Sequence, residues 1–336
     1  MKKIIFRVVV SEQTGIGHLM RTIWLAKAVK KKLNCKIFFI INKNKFFFKF
    51  SKLINLSGCI YTNNDKNYDL SFENIKKILK LNPDLLVDDT PDKIKKNWFR
   101  ILNKNKIKIL SITSSYNKYS NYFLMPENHK KIDNQFIKSG FKFSLLSPDF
   151  KKKLKPKKNK FIKKILITFG GSDHLDLTSK VLTVLNKSNN FFLIKIIVGK
   201  YYNNLNNIKK LIKLSKHRIL ILKSPVGIYR YLKEADFIIN GGGTTSMEIN
   251  CLSKPCLTFA IWKTQNKLTK NLFTNNSTYV LCSKKKKLLK KEINKKILFF
   301  INKNEFKFKF DKKIDGFGCD RSAAWIRDIL IKNYEK

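Results

Sequence analysis

Thr14-Gly15-Ile16-Gly17-His18 separates an apolar run at residues 4–10, Ile-Ile-Phe-Arg-Val-Val-Val, from an amphipathic stretch at residues 19–33. A strand, a glycine turn and a helix in that order open a βαβ unit. The glycines let backbone come close to a ligand. The helix start supplies free N–H groups and partial positive charge, which suits a phosphate. His18, one of four histidines in the chain, enters the same space, and an imidazole titrating near ~6.5 is a sensible general base. A tight turn that merely carries a histidine competes with this reading while the motif stands by itself.

Outward from that turn, apolar runs alternate with helical stretches. Strands are expected at residues 36–41, 84–89 and 108–112, with helices near 72–81 and 94–103. Continuous apolar strands alternating with helices predict a parallel sheet covered on both faces. Residues 151–164 are Lys-rich, contain Pro156 and lack a hydrophobic period, as a linker would. A second set follows. A strand at 164–169 ends in Gly170-Gly171-Ser172-Asp173, and one at 237–240 ends in Gly241-Gly242-Gly243-Thr244-Thr245-Ser246. Further strands are expected at 192–198, 219–222 and 256–260, and helices at 177–185, 228–234 and 246–252. The fold class is therefore α/β, with two Rossmann-like doubly wound parallel-sheet domains facing across a cleft. The domains are 1–150 and 165–318, joined by the linker 151–164. A terminal helix at 319–336 is expected to pack on the first domain. Ligands in such folds bind at the C-terminal strand ends.

Lys and Arg total 71 against 23 Asp and Glu, a formal net charge of +48. The excess is almost all Lys, and Lys, Asn, Ile and Phe are abundant throughout. That bias reads as solvated surface rather than a dedicated nucleic-acid face, which would concentrate Arg and aromatics. The charge would still steer anionic ligands. Six cysteines show neither CxxC spacing nor zinc-type intervals, so free thiols, no metal and a cytoplasmic setting are expected. No run is long and apolar enough to span a membrane, and no leader precedes the first strand. The Phe-rich run 46–50 is a candidate exposed patch. The chain is expected to be a monomer.

Three glycine turns point to the predicted cleft. None is a Walker loop or a GxGxxG followed by a suitably spaced acid, so no dinucleotide cofactor is expected. Residues 241–246 combine backbone amides and hydroxyls at a helix start, which suits a diphosphate. Glu248, one turn on, is placed to accept ribose hydroxyls or simply to complement the helix dipole. Asp88 and Asp89 end a strand and would orient water or bind sugar hydroxyls, with turn formation and helix capping as the competing roles. Asp173 is more readily a cap than a ligand.

Taken together, Arg7-x-x-x-Ser11-x-x-x-Gly15-Ile16-Gly17-His18-x-x-Arg21, the segment Ile167 to Asp173, the segment Asn240 to Glu248, Gln265, and Asp315-Gly316-Phe317-Gly318-Cys319-Asp320-Arg321 resemble, in order, the blocks of the UDP-sugar hydrolases of pseudaminic acid biosynthesis (the PseG/SpsG family). The resemblance implies a GT-B-type fold, like that of the lipid II-forming glycosyltransferase. It implies metal-independent attack of water on the anomeric carbon of UDP-2,4-diacetamido-2,4,6-trideoxy-β-L-altropyranose, releasing free sugar and UDP, with His18 as base. Substrate contacts are carried onto Gly15, Gly17, Arg21, Asp88, Asp89, Gly170, Gly171, Ser172, Asp173, Gly242, Gly243, Thr244, Thr245, Ser246, Glu248 and Gln265. Three departures stand out: Val9 replaces an acid, Lys263-Thr264 precedes Gln265 in place of Asp-Asn, and Thr90-Pro91 stands where an aromatic is common. The alternatives are a GT-B glycosyltransferase with a UDP-sugar donor, for which run 46–50 would be an acceptor patch, and a nucleotide-sugar-binding homologue with impaired catalysis.

Overall fold

The computed structural model describes residues 1–11, 16–43, 45–62, 70–90, 98–128, 130–152, 161–260, 263–273, 278–281, 286–301 and 313–332. Gly15, most of the expected linker (153–160), His129 and Cys282 lie outside the described residues. The chain divides into two units, Met1–Lys151 with Asp315–Lys336, and Lys152–Ile314.

The first unit runs β1 (Lys2–Val8), α1 (Gly17–Lys32), β2 (Cys35–Asn42), α2 (Lys45–Ser51), β3 (Gly58–Thr62), α3 (Phe72–Leu81), β4 (Leu85–Asp89), α4 (Phe99–Lys104), β5 (Lys108–Ile112), β6 (Tyr122–Met125), β7 (Ile132–Asp133) and β8 (Ile137–Ser139). Among the described residues its sheet has the order β3-β2-β1-β4-β5-β6-β8-β7, parallel except for the β7–β8 pair. Successive strand residues face opposite sides. Ile4, Phe6, Val8, Leu85 and Val87 therefore meet Leu19, Ile23 and Ala26 of α1. Ile5 and Leu86 meet Ile75 and Ile78 of α3 and Phe99 and Leu102 of α4 on the other side. Each fully buried Ile, Leu or Phe contributes ~1.5–3 kcal/mol, so both faces are strongly held. The Phe-rich run divides in the same way. Phe47 and Phe50 enter the core, and Phe48 is exposed against Tyr61 with ring centroids 5.9 Å apart. Among the described phenylalanines of the run, Phe48 is the one at the surface.

The second unit contains β9 (Lys164–Thr168), α5 (Leu177–Leu185), β10 (Leu193–Val198), α6 (Leu205–Lys213), β11 (Arg218–Lys223), α7 (Tyr229–Glu234), β12 (Phe237–Gly241), α8 (Thr244–Cys251), β13 (Cys256–Ala260), α9 (Lys263–Leu272), β14 (Thr278–Leu281) and α10 (Lys286–Ile301). Its strands are all parallel, in the order β11-β10-β9-β12-β13-β14. Ile165, Ile167, Ile194, Ile196, Phe237 and Ile239 bury against α5, α6 and α10. In each unit the chain order reverses beside one strand, β1 in the first and β9 in the second. The ends of β1 and β4, and of β9 and β12, are thus the two topological switch points, where doubly wound sheets place their ligands.

The last helix, α11 (Gly318–Ile331), belongs to the first unit. Ala323, Trp325, Ile326 and Ile329 join the core with α1, and Trp325 Nε1 donates to the Gln135 carbonyl at 3.1 Å. Residues 315–318 sit here rather than in the second domain as expected, because their backbone is pressed against residues 143–151. A Cβ on Gly316, whose φ is +84°, would lie 2.4 Å from the Phe150 carbonyl oxygen, and one on Gly318 would lie 2.1 Å from that of Ser144. Arg321 closes the turn with an ion pair to Asp315 and a 2.8 Å bond from Nη1 to the Lys142 carbonyl. The Asp315-to-Arg321 block is therefore a staple for α11.

Gly318→Ala should destabilise the first unit by about 1–3 kcal/mol, the usual cost of overpacking. The readout is hydrogen-exchange protection along α11; protection equal to wild type would show that the backbone has room for a methyl group.

Candidate active site

At the first switch point Asp88 and Asp89 are fully buried neighbours on β4, and the period of two sends them to opposite faces of the sheet. Asp88 lies beside Arg7, Nη1 to Oδ1 3.5 Å, and accepts from the Thr90 hydroxyl at 3.0 Å. The Arg7 guanidinium also stacks on Trp98 at 4.6 Å. Asp89 turns to α1. It accepts from Arg21 Nε at 2.7 Å and Nη2 at 2.5 Å, lies 2.8 Å from His18 Nδ1 and 2.9 Å from the Thr22 hydroxyl. Arg21 Nη1 donates to Glu127 at 2.8 Å. Burial by itself would push the Asp89 carboxyl up; the Arg21 guanidinium and then His18 outweigh it and hold it well below the usual carboxylate range. Burial likewise opposes the Arg21 charge, and Asp89 and Glu127 overcome it.

The two acids expected to act together on a ligand are therefore separated by the sheet, and each is engaged within the protein. Arg21, also expected at the substrate, is occupied by Asp89 and Glu127. His18 is the member that meets solvent, its side chain 28% exposed. Gly17 is the first residue of α1, whose N-cap residue Ile16 makes no side-chain cap and whose first turn carries no acid. Glu127, two residues beyond β6, was not singled out from the sequence; the only signal is an acid just past a strand end, 106 residues from its partner.

In the second unit, Gly170 adopts φ +82° with open space around it, a conformation suited to glycine. Gly171 is pressed against Gly199, where a Cβ would lie 2.2 Å from the Gly171 carbonyl oxygen. Ser172 is half-buried. Asp173 accepts from the backbone N–H of Leu177 and Thr178, both at 2.9 Å, and from the Thr178 hydroxyl at 2.7 Å. It caps the start of α5, the competing role weighed for it, and those helical N–H groups take up its oxygens.

The third turn separates into framework and open parts. Ser246 is buried, donates to the Gly241 carbonyl and accepts from Asn240, which is fixed in turn by the Thr258 hydroxyl at 2.8 Å. Its hydroxyl is thus withdrawn from a ligand. Gly242 is packed so closely on α9 that a Cβ would lie 3.0 Å from Gln265 Cβ, which sets Gln265 beside the turn. Gly243, with open space, and the half-buried Thr244 and Thr245 begin α8, whose N-terminus has no side-chain cap. Glu248, half-buried on the next turn, has no hydrogen-bond or ion-pair partner among the described residues, and desolvation pushes its carboxyl up to about 8.

A groove of about 370 Å³, floored by Leu166, Leu193 and Leu220 and edged by Lys195, Arg218 and Glu234, opens at the starts of β9, β10 and β11. It is at the opposite end of these strands from the glycine turns. Five described cysteines are free thiols, and no helix among the described residues is long and apolar enough to cross a membrane.

No family model matches the sequence. An uncharacterized protein of Methanocaldococcus jannaschii is 31% identical over 268 residues, 73% of this chain. The chain spans about half, 53%, of that relative's length. Among solved structures, MurG of Acinetobacter baumannii is similar with a TM-score of 0.64 at 12% identity, over 99% of this chain and 100% of that one. The UDP-GlcNAc 2-epimerase of Methanocaldococcus jannaschii, in complex with UDP-GlcNAc and UDP, gives 0.59 at 16% identity, over 97% and 99%. Anabaena HepE, in complex with UDP-glucose, gives 0.62 at 10% identity, over 98% and 100%. The likeness is one of fold: this chain has the GT-B fold, two Rossmann-like parallel-sheet units.

Glu248 makes the stability of the protein depend on pH. Between about 4.5 and 8 the folded chain retains a proton that the unfolded chain has lost, so stability should fall as pH rises through that window and stay low above it. Glu248→Gln should flatten the fall and exceed wild type at about pH 9 by about 1–3 kcal/mol, given ~1.4 kcal/mol per unit less the part that solvent screens at a half-buried site. Denaturant titrations across pH test this, and a variant with the wild-type slope would mean that the carboxyl is well solvated.

Proposed function

We propose that this protein is a UDP-sugar hydrolase, cleaving a UDP-activated 2,4-diacetamido-2,4,6-trideoxy sugar to free sugar and UDP in pseudaminic acid biosynthesis. The observation that carries the nucleotide part is Glu248, a carboxyl without a partner among the described residues, on the helix that follows a glycine turn at a switch point. A ribose offers two hydroxyl donors to such a group. The uncapped start of α8 offers backbone N–H groups and dipole charge to a diphosphate. Neighbours of the same fold in complex with UDP, UDP-GlcNAc or UDP-glucose support that assignment. Gly243, Thr244, Thr245 and Gln265 are the other proposed contacts in this unit, with Gly170, Gly171 and Ser172 beside them.

For the reaction, water attacks the anomeric carbon as the bond to the β-phosphate oxygen breaks. The role proposed for the first unit is to take the water proton on His18 Nε2; the role proposed for the second is to stabilise the leaving diphosphate with the N–H groups of α8. Gly15 and Gly17 are the other proposed contacts in the first unit. The reading is of a cytoplasmic monomer, and the sugar identity rests on the motif blocks, with Val9 and Lys263-Thr264 the positions that would retune it.

Proton NMR of the protein with the UDP-trideoxy-diacetamido sugar, chelator present and acceptor absent, should show free sugar and UDP accumulating. Bound but intact substrate would favour a transferase or a binding protein. His18→Ala should lose turnover by roughly 10²–10⁴-fold and keep its affinity for UDP; unchanged turnover removes His18 from the chemistry. Glu248→Ala should weaken UDP binding by about 10–100-fold, the size of two ribose hydrogen bonds at ~0.5–1.5 kcal/mol each, and unaltered affinity refutes the ribose assignment.

A further inference from the structure

We propose that Asp89 is a positioning residue that holds His18 in the tautomer with its proton on Nδ1, so that the Nε2 lone pair is the one presented to solvent. The tautomer assignment stands on unit 1 geometry; its catalytic meaning rests on the hydrolase reading above.

His18 Nδ1 has two polar neighbours of opposite kind. Asp89 Oδ1 is 2.8 Å away and Arg21 Nη2 is 3.1 Å away. The carboxylate only accepts, and the guanidinium only donates. If Nδ1 carried a lone pair it would accept from Arg21 and set that lone pair against Asp89 at the shorter distance. The ring proton would then be on Nε2, turning the exposed edge into a donor unable to take a proton from water. With the proton on Nδ1 the shorter contact becomes a hydrogen bond to an anion, and Arg21 Nη2 has its own acceptor in Asp89 Oδ1 at 2.5 Å.

Three further observations fix that choice. Oδ2 is held by Arg21 Nε at 2.7 Å and faces the Thr22 hydroxyl at 2.9 Å, so the carboxylate is clamped at both oxygens. Asp89 is fully buried and Arg21 nearly so, and Glu127 takes the remaining edge of the guanidinium. Among the described residues Nε2 has no partner, although the side chain is 28% exposed. When Nε2 accepts a proton the ring becomes a cation with Asp89 as its adjacent counter-charge.

The experiment is long-range proton–nitrogen NMR of uniformly ¹⁵N-labelled protein with its imidazoles neutral, His18 being assigned by its absence from the His18→Gln spectrum. The proposal requires a protonated Nδ1 and a lone-pair Nε2 in wild type; a dominant Nε2–H form overturns it whether or not any substrate is turned over. Asp89→Asn should erase that preference and lower kcat by roughly 10²–10⁴-fold, with UDP affinity within about 2-fold of wild type. An unchanged tautomer in folded Asp89→Asn refutes the role of Asp89. If Asp89→Asn does not fold, Thr22→Val, which leaves the ion pair in place, should lower kcat several-fold with KM unchanged, and full wild-type kcat would count against a clamp. A protein with the Nδ1–H form that hydrolyses no UDP-sugar would refute the hydrolase reading and leave the positioning intact.

Discussion

The carboxylate of Asp89, out of water and gripped from two sides by Arg21, is the interaction on which the arrangement around His18 depends. A buried charge survives only with its partner in place, and removing one member strands the other at a cost of ~3–5 kcal/mol. The pair therefore ties the first turns of α1 to the end of β4, beside the strand where chain order reverses. His18 inherits its orientation from this tie. It does not have to be held by the glycine turn before it, because the fixed point lies one helical turn further on.

The second unit distributes its roles differently. Residues of the glycine-turn motifs fall into those that build the turn and those left free. Asp173 and Ser246 spend their oxygens on backbone and loop. Gly199 and Gly242 are small because the Gly171 backbone and α9, respectively, occupy the space. What remains open is the uncapped start of α8 and the carboxyl of Glu248. A motif match thus marks where a site is, and local packing decides which of its residues can meet a ligand.

Much of this architecture was legible in the sequence because parallel strands are apolar on both faces and read as unbroken runs. The strand expected at 108–112 is β5, that at 36–41 lies within β2, and the helix expected at 19–33 overlaps nearly all of α1. The two glycine turns of the second unit, after β9 and β12, were legible for the same reason. The helices α6 and α10 were not, since their Lys- and Asn-rich faces merge with a chain that is Lys- and Asn-rich everywhere. The separation of Asp88 from Asp89 follows from the two-residue period and was available, but adjacency in sequence obscured it. The Arg21–Glu127 contact had no local signature, because only the completed sheet brings the end of β6 toward α1.

The path of the chain has its own consequence. The first unit takes part of its core from α11, whose Trp325, Ile326 and Ile329 lie with α1, yet those residues follow the entire second unit in the sequence. Domains emerging from a ribosome ordinarily complete themselves in order, the N-terminal one first. Here that order is inverted. The contiguous second unit can close as soon as it is made, while the earlier one waits for Trp325, Ile326 and Ile329 of α11 to join its core. During synthesis the unit bearing His18 is thus the one exposed to chaperones and proteases, and a chain truncated only before α11 would be left with that core open.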